Sequence, residues 1–500
     1  MGRAVETADV CLILEGTYPY VRGGVSSWVH SLISGLPEIT FSLLHLSSKR
    51  SIDQPKRYEL PDNVISFAEA FIHESLDERS PNKRKTKKSE DNVWNLIENY
   101  HEADAMERCR MSRELLSKVS DPRTAELSVH DAFHSLEAWE LVLKRYRERA
   151  PDSSFIDYFW TWRAVHAPLF QTMIAEIPPA HIYHTVSTGY AGLLRVLAKL
   201  RHKKPLLLTE HGVYVRERAI DIAQAEWIYE EPVRLKVARA KANPLKEMWI
   251  NFFVTLGEMT YQEADEIITL FEGNRLLQHD LGADPSKTSI VVNGVNIDKY
   301  AAMRATRDEF KDRPLRVGFV GRVVPIKDVK TLVRACSLVA QEMPLVEFWI
   351  VGPVDEDEEY AQECKQLAEG LNIEKLEFLG TQDVTNIYPK IDVMVLTSIS
   401  EGQPLTIIEA GCAGVPTVAT EVGACRELCE GRTDEDRLLG PSGLITGVGN
   451  ANQTAHAILK ILGNERLRKK MSKAAVVRAE RYYRQSEVLN SYRSLYQRYL

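Results

Sequence analysis

No apolar run in this chain approaches the roughly 20 residues that a membrane-spanning helix requires. The first, Val10 to Leu14, is far shorter, and none later comes close. The N-terminal Met-Gly lacks the Ser or Thr that would complete a myristoylation signal, since Glu6 stands at that place. A cytoplasmic chain with neither signal peptide nor anchor is expected. There is no Cys-x-x-Cys pair among the seven cysteines, Cys11, Cys109, Cys336, Cys364, Cys412, Cys425 and Cys429, and their odd number reads as reduced thiols. Cys425 and Cys429 stand at helical spacing but lack the histidine pair that would make a metal site with them. Excess positive charge is missing too. With a formal net charge of −7 the chain has no electrostatic footprint for nucleic acid, so any anion site must be local. The glycine pattern G-x-G-x-x-G is absent from the first strand-to-helix turn, which disfavours a nicotinamide or flavin dinucleotide site.

What is present is the composition of a soluble globular protein: of 500 residues, 44% are hydrophobic and 27% charged. That length exceeds what one hydrophobic core serves, and two large α/β domains suit it. From Arg316 onward the segments alternate. "RVGFVG", "VEFWIVG", "LEFLG", "VMVLTS" and "PTVAT" are short, buried, β-branched runs; "DVKTLVRACSLVAQEM", "YAQECKQLAEGL" and "PLTIIEAGCAG" between them carry apolar residues at helical spacing. This is the pattern of a parallel sheet covered by helices on both faces, a Rossmann-like α/β domain expected over residues 296–480. Residues 1–295 repeat the pattern in "VCLILEG", "FSLLHL", "HIYHTVS", "PLLLTEHG", "DEIITL" and "TSIVVNG". A stretch from about Ile72 to Ala150 breaks it and reads as a helical insertion. Its basic run, Lys83 to Lys88, reads as a solvated hinge, with a phosphate, membrane-surface or partner contact as the alternative. The final segment, from Glu465, reads as helical throughout, with residues 481–500 expected to cross back to the first domain.

Candidate site residues cluster where strands end, because open α/β sheets bind ligands at their carboxyl edge. "SISEGQPLTIIEA" follows a buried strand and sets Glu401 in a turn at the mouth of the site and Glu409 in the helix after it. A helix running from Gly402 would put Glu409 about two turns beyond Glu401, roughly 12 Å along its axis. The free amides of the Gly402, Gln403, Pro404, Leu405 and Thr406 turn suit a phosphate or sugar hydroxyl. Glu409 within so apolar a segment needs a partner. "GFVGRVVPIKD" brings Gly321, Arg322 and Lys327 to the end of another strand, where two cations are able to neutralise a diphosphate without a metal. "YPYVRGGVSSW" offers Arg22, Gly23 and Gly24 before a helix, and "LLLTEHGVYVRER" places His211 directly after a strand. Two Asp-Glu-Asp strings, at 355–357 and 434–436, read as solvated acidic stretches and match a short metal-binding pattern that arises easily by chance.

Taken together, Glu401-x7-Glu409, Gly321-Arg322-x4-Lys327, the Gly23-Gly24 turn, His211 and "VVNGVNIDKY" resemble the family 4 retaining glycosyltransferases of the GT-B fold. "EGTYPYVRGGVSSW", "TEHGVYVRER" and "GRVVPIKDVKTL" are similar to the Pel-type exopolysaccharide enzymes within it. The chain departs from the wider family at Asp328, where a glycine commonly follows the lysine. The resemblance implies two Rossmann-like domains facing across a cleft and metal-independent, front-face transfer from a UDP-sugar, with no cofactor. Arg322 and Lys327 would hold the donor diphosphate, Glu409 the ribose hydroxyls, and Glu401 with the 402–406 amides the transferred sugar. Gly23 and Gly24 would close over phosphate, His211 would act near the anomeric carbon, and Thr381 and Gln382 would meet the nucleobase. Implied partners are a saccharide acceptor and membrane-embedded synthase or export subunits, with the protein peripheral at the inner face of the cytoplasmic membrane. An epimerase of the same fold and a non-catalytic nucleotide-sugar-binding subunit remain as alternatives.

Overall fold

The computed structural model describes residues 6–21, 23–48, 55–72, 87–100, 105–120, 126–127, 129–225, 243–306 and 313–500. Arg22 and the first four residues of the basic run, Lys83 to Thr86, lie outside them. The chain forms two compact units, one of residues 1–269, 275–289 and 493–500, the other of 270–274 and 290–492.

The first unit is built on seven strands: β1 (Ala8–Glu15), β2 (Phe41–Ser47), β3 (Val64–Phe71), β4 (Ala180–Thr185), β5 (Leu206–Glu210), β6 (Glu266–Thr269) and β7 (Thr288–Ile290). Their order across the sheet is β3-β2-β1-β4-β5-β6-β7. The pairings from β3 through to β6 are all parallel. Val10 to Leu14 are fully buried, as an apolar run without alternation demands of a strand covered on both faces. Between β3 and β4 come helices Lys87–Tyr100, Ala105–Val119, Val129–His134, Leu136–Arg149 and Phe155–Ile174. The helical segment therefore continues past Ala150. Within this unit the chain's last residues dock through Tyr496, whose hydroxyl meets His184 Nδ1 at 2.7 Å, and through ion pairs Arg493–Glu38 and Arg498–Glu266.

The second unit holds β8 (Arg316–Val320), β9 (Glu347–Val351), β10 (Leu376–Gly380), β11 (Val393–Leu396), β12 (Thr417–Thr420) and β13 (Gly443–Thr446), in the order β10-β9-β8-β11-β12-β13. Every pairing is parallel. The strand order reverses between β8 and β11, and such a switch point opens a crevice at the carboxyl edge. The expected fold class, two Rossmann-like α/β domains of the GT-B type, is the one found.

The C-terminal segment is two helices, Glu465–Tyr482 and Gln485–Gln497, rather than one. The break is imposed where Val295 N donates to Tyr483 O and Gln485 N donates to Val295 O, a short parallel bridge that takes the chain out of helical register. Asp436, read from the sequence as part of a solvated acidic string, is buried. Arg478 donates Nε to its carboxylate at 2.6 Å, and its other nitrogens reach Cys429 O, Ser442 Oγ, Asp436 O and Gly440 O. One fully enclosed arginine thus anchors the helix Glu465–Tyr482 to the short helices Cys425–Glu430 and Asp434–Arg437 and to the loop that follows them.

Candidate active site

The loops after β8 and β11, the two strands flanking the switch point, carry most of the residues singled out in the second unit. After β8, Gly321 N donates to Val351 O at 2.9 Å and Val323 N to Pro353 O at 3.0 Å, tying the loop to the end of β9. Pro325–Lys327 form a single 3-10 turn. Asp328 follows with φ +44, in the left-handed region, which accounts for the glycine common in the wider family. Aspartate manages it because its carboxylate caps the helix Val329–Glu342, accepting from Thr331 N at 3.2 Å.

The β11 loop is fastened to this turn. Ile399 N donates to Ile326 O at 2.8 Å, and Thr397 Oγ1 donates to the carbonyls of Lys327 and Asp328. The fastening brings two of the anticipated residues together: Lys327 Nζ pairs with Glu401 Oε1 at 2.5 Å, and Ser398 Oγ donates to the same oxygen. Their side chains are 17% and 10% exposed, so the pair is largely shielded from water and its attraction correspondingly strong. Glu401 therefore sits deeper than the rim position expected of it. Arg322 is exposed and pairs with Glu356 at 2.7 Å, so its guanidinium turns to the β9 loop rather than to either site glutamate. That also accounts for the first Asp-Glu-Asp string, in which Asp357 caps the helix Glu358–Gly370.

The helix bearing Glu409 runs from Leu405 to Cys412, with Pro404 as its N-cap. It starts three residues later than expected, because the backbone of Glu401 and Gly402 packs against Gly423: a Cβ there would lie 2.3 Å from both carbonyl oxygens. Glu409 is consequently about 6 Å along the axis from Leu405, little more than one turn in. Its carboxylate accepts from Tyr300 OH at 2.8 Å and from Tyr388 OH at 2.9 Å. Gln403 is buried, and its side chain faces inward rather than toward a ligand: Oε1 accepts from Asn293 N and Nε2 reaches Leu270 O. Its carbonyl also accepts from Asn293 Nδ2 at 3.4 Å, so among the described residues its backbone N–H is what remains for the donor-binding role expected of it. Thr381 and Gln382 are exposed beyond β10, the edge strand, where Gln382 Nε2 donates back to Leu379 O at 2.8 Å.

In the first unit, Gly23 and Gly24 stand exposed at the start of the helix Gly24–Ser34, after β1. Gly23 has an extended φ of 171 and open space where a Cβ would be, so neither strain nor crowding requires glycine there. His211 follows β5 and meets the edge of Trp28, ring centroids 4.8 Å apart. Burial pushes its imidazole down to about 4, leaving it neutral near pH 7. Beside it is a polar network whose acids, Glu15 and Glu210, stand inside the quoted "EGTYPYVRGGVSSW" and "TEHGVYVRER" but are given no role there. Glu15 accepts from Tyr214 OH, Ser187 Oγ and Ala191 N, and Glu210, fully buried, accepts from Tyr261 OH and Gln278 Nε2. Ser398, Tyr300 and Tyr388 are likewise absent from the residues expected at the site. Tyr300 lies inside the quoted "VVNGVNIDKY", yet its partner is 109 residues away, and nothing local marks it.

Residues 8–286 match the family described as Domain of unknown function (DUF3492). The chain belongs to that family. Residues 314–464 match Glycosyl transferases group 1, so this DUF3492 protein carries a glycosyltransferase domain, the enzyme class anticipated from the motifs. Among curated relatives, the D-inositol 3-phosphate glycosyltransferase of Mycobacteroides abscessus is 33% identical over 62% of this chain and 63% of its own length. That of Kribbella flavida is 26% identical over 60% and 67%. The chain spans about two thirds of the length of these relatives. Among solved structures, Anabaena HepE in complex with UDP is similar with a TM-score of 0.59, at 14% identity over 98% of this chain and 99% of its own. Sucrose-phosphate synthase from Thermosynechococcus elongatus follows with 0.58, at 16% identity over 98% of each. At such identities the likeness is one of fold.

Proposed function

We propose that the protein is a retaining glycosyltransferase that moves a hexosyl group from a UDP-sugar to a growing exopolysaccharide, a Pel-type enzyme of the PelF kind, by metal-independent front-face transfer. The observation that carries this reading is the Lys327–Glu401–Ser398 cluster beside the β8/β11 switch point. It sets a cation, a carboxylate and a helix N-terminus in one place, as an anionic leaving group joined to a hydroxyl-rich sugar requires. HepE, which shares the fold, was crystallised in complex with UDP, and this favours a UDP-linked donor.

Cleavage of a glycosyl phosphate passes through an oxocarbenium-like state while negative charge gathers on the departing diphosphate. Lys327 and Arg322 act on that charge, and groups that meet charge as it develops lower the barrier instead of only tightening binding. Arg322 is to leave Glu356 for the donor, an exchange of one surface ion pair for a bidentate phosphate contact. Glu401 and the 402–406 backbone orient the sugar, with Glu409 on the ribose, Gly321, Gly23 and Gly24 near phosphate, and Thr381 and Gln382 at the nucleobase. His211, neutral, contacts the sugar. No cofactor is assigned. Among the described residues no helix is long and apolar enough to cross a membrane. The partners proposed are a saccharide acceptor and membrane-embedded synthase or export subunits, with the enzyme peripheral at the cytoplasmic face.

Incubation with a panel of labelled UDP-sugars and saccharide acceptors, followed by mass spectrometry and anomeric NMR, tests this. An elongated acceptor with the donor's anomeric configuration is expected. A free or isomerised sugar would move the assignment to an epimerase, and UDP binding without turnover on any acceptor would leave a binding subunit.

A further inference from the structure

Glu409 is held in an unusual way for a carboxylate so enclosed by apolar neighbours. Among the described residues its side chain has two hydrogen-bond partners, both phenols: Tyr300 OH donates to Oε1 and Tyr388 OH donates to Oε2. The tyrosines come from separate elements, the helix Ile297–Thr306 and the 3-10 turn Tyr388–Lys390. They pack edge to face with ring centroids 6.3 Å apart, and Tyr388 is fully buried while Tyr300 is 6% exposed. Neither ring is free to swing. Tyr388 also approaches Thr406 O at 3.5 Å, in the first turn of the helix that bears Glu409.

One donor on each oxygen has a definite consequence. A carboxylate oxygen accepts two hydrogen bonds, so each retains one acceptor position, and the plane of the group is fixed by the two phenols. A cation in the same place would neutralise the carboxylate and compete with a ligand; a phenol does neither. Burial and the nearby Glu409 push both phenols well above their usual range, so they stay protonated and donate at any working pH. What remains open on Glu409 is a pair of coplanar acceptors, the complement of two adjacent hydroxyls.

We propose that Tyr300 and Tyr388 are positioning residues that orient Glu409 toward a vicinal diol, the ribose of the nucleotide donor. This rests on the function proposed above. The full chain is titrated by calorimetry with UDP and with 2′-deoxy-UDP, which lacks one hydroxyl of the diol. The unsubstituted protein is expected to prefer UDP, and Glu409→Gln to lose that preference. Tyr300→Phe and Tyr388→Phe should each weaken UDP binding roughly fivefold, the equivalent of one net hydrogen bond, and reduce the UDP preference. In the Glu409→Gln background the same Phe substitutions should change nothing, which a merely structural role would not produce. Thermal melts accompany each variant, and if Tyr388→Phe loses the fold, Tyr300→Phe carries the test. Phe variants that keep the full preference while Glu409→Gln loses it would overturn the proposal and leave the function standing. A protein that binds UDP without distinguishing the two nucleotides would likewise overturn the proposal alone, and one that does not bind UDP would overturn both.

Discussion

A Cβ built on Gly352 would lie 1.8 Å from the carbonyl oxygen of Gly321. Gly352 directly follows β9 with φ +145, a conformation side chains rarely adopt, and its N–H donates to Gly380 O at 2.8 Å. The contact lets the β8 loop pass close enough to present Arg322 and the turn before Lys327. Gly352→Ala is expected to destabilise the protein by roughly 2 kcal/mol through strain and collision, and to weaken UDP binding about tenfold by displacing the loop. Urea denaturation and a UDP titration check the two parts separately. An unchanged affinity would show that the loop position is immaterial to the donor.

Lys327→Ala should lower turnover at saturating donor by at least about tenfold, or roughly 1.4 kcal/mol of transition-state stabilisation, without unfolding the domain. It also leaves Glu401 shielded, with Ser398 as its remaining side-chain partner among the described residues. Adding Glu401→Gln should therefore restore part of the melting temperature that the lysine substitution removes. Steady-state kinetics on the single variant and melts on the pair decide it.

The Arg478–Asp436 pair, with both side chains 2% exposed, offers a test remote from the site. Arg478→Met strands a buried carboxylate and is expected to cost roughly 3–5 kcal/mol. Replacing Asp436 as well should recover much of the loss. Denaturant midpoints for the single and double variants give the coupling.

A fourth expectation concerns acid. His184 is fully buried, and burial first, then the nearby Arg195 and His211, hold its imidazole down to about 3 against an ordinary value of 6.5. Below pH 6.5 the unfolded chain takes up a proton that the folded one refuses, so stability falls with falling pH until about pH 3. This group's share of the slope approaches 1.4 kcal/mol per pH unit. The slope for the unsubstituted protein minus that for His184→Gln, measured between pH 6 and 4, should be positive by about that amount. Equal slopes would mean His184 is protonated in the fold.

Strands with continuous apolar runs are readable because burial on both faces leaves no polar alternation to confuse them; β1, β5 and β8 are of this kind. β3 and β13 escape. β3 is an edge strand with Glu69 in its middle, and β13 is four residues beginning with glycine, so neither has the signature of a buried strand. At the site, Lys327 and Glu401 are visible because each follows a strand end, where topology rather than chemistry does the placing. The helix start differs by three residues from the expected one because Gly423, lying 21 residues after Gly402 in the chain, sets where the backbone can turn. The tyrosines on Glu409 show the limit most plainly. Each is unexceptional in its own segment, and only the folded sheet, with separations of 109 and 21 residues closed to hydrogen-bond distance, makes them a pair.

Surface loops in general tolerate insertion and exchange. The Glu401–Pro404 loop should not, because Gly402 is gripped by Gly423 and Ala424, Gln403 by Asn293, and Glu401 by Lys327. Anyone transplanting the corresponding segment from another enzyme to alter sugar preference would have to bring along the two flanking contacts at Asn293 and Gly423. Otherwise the graft would arrive with the right letters in the wrong place.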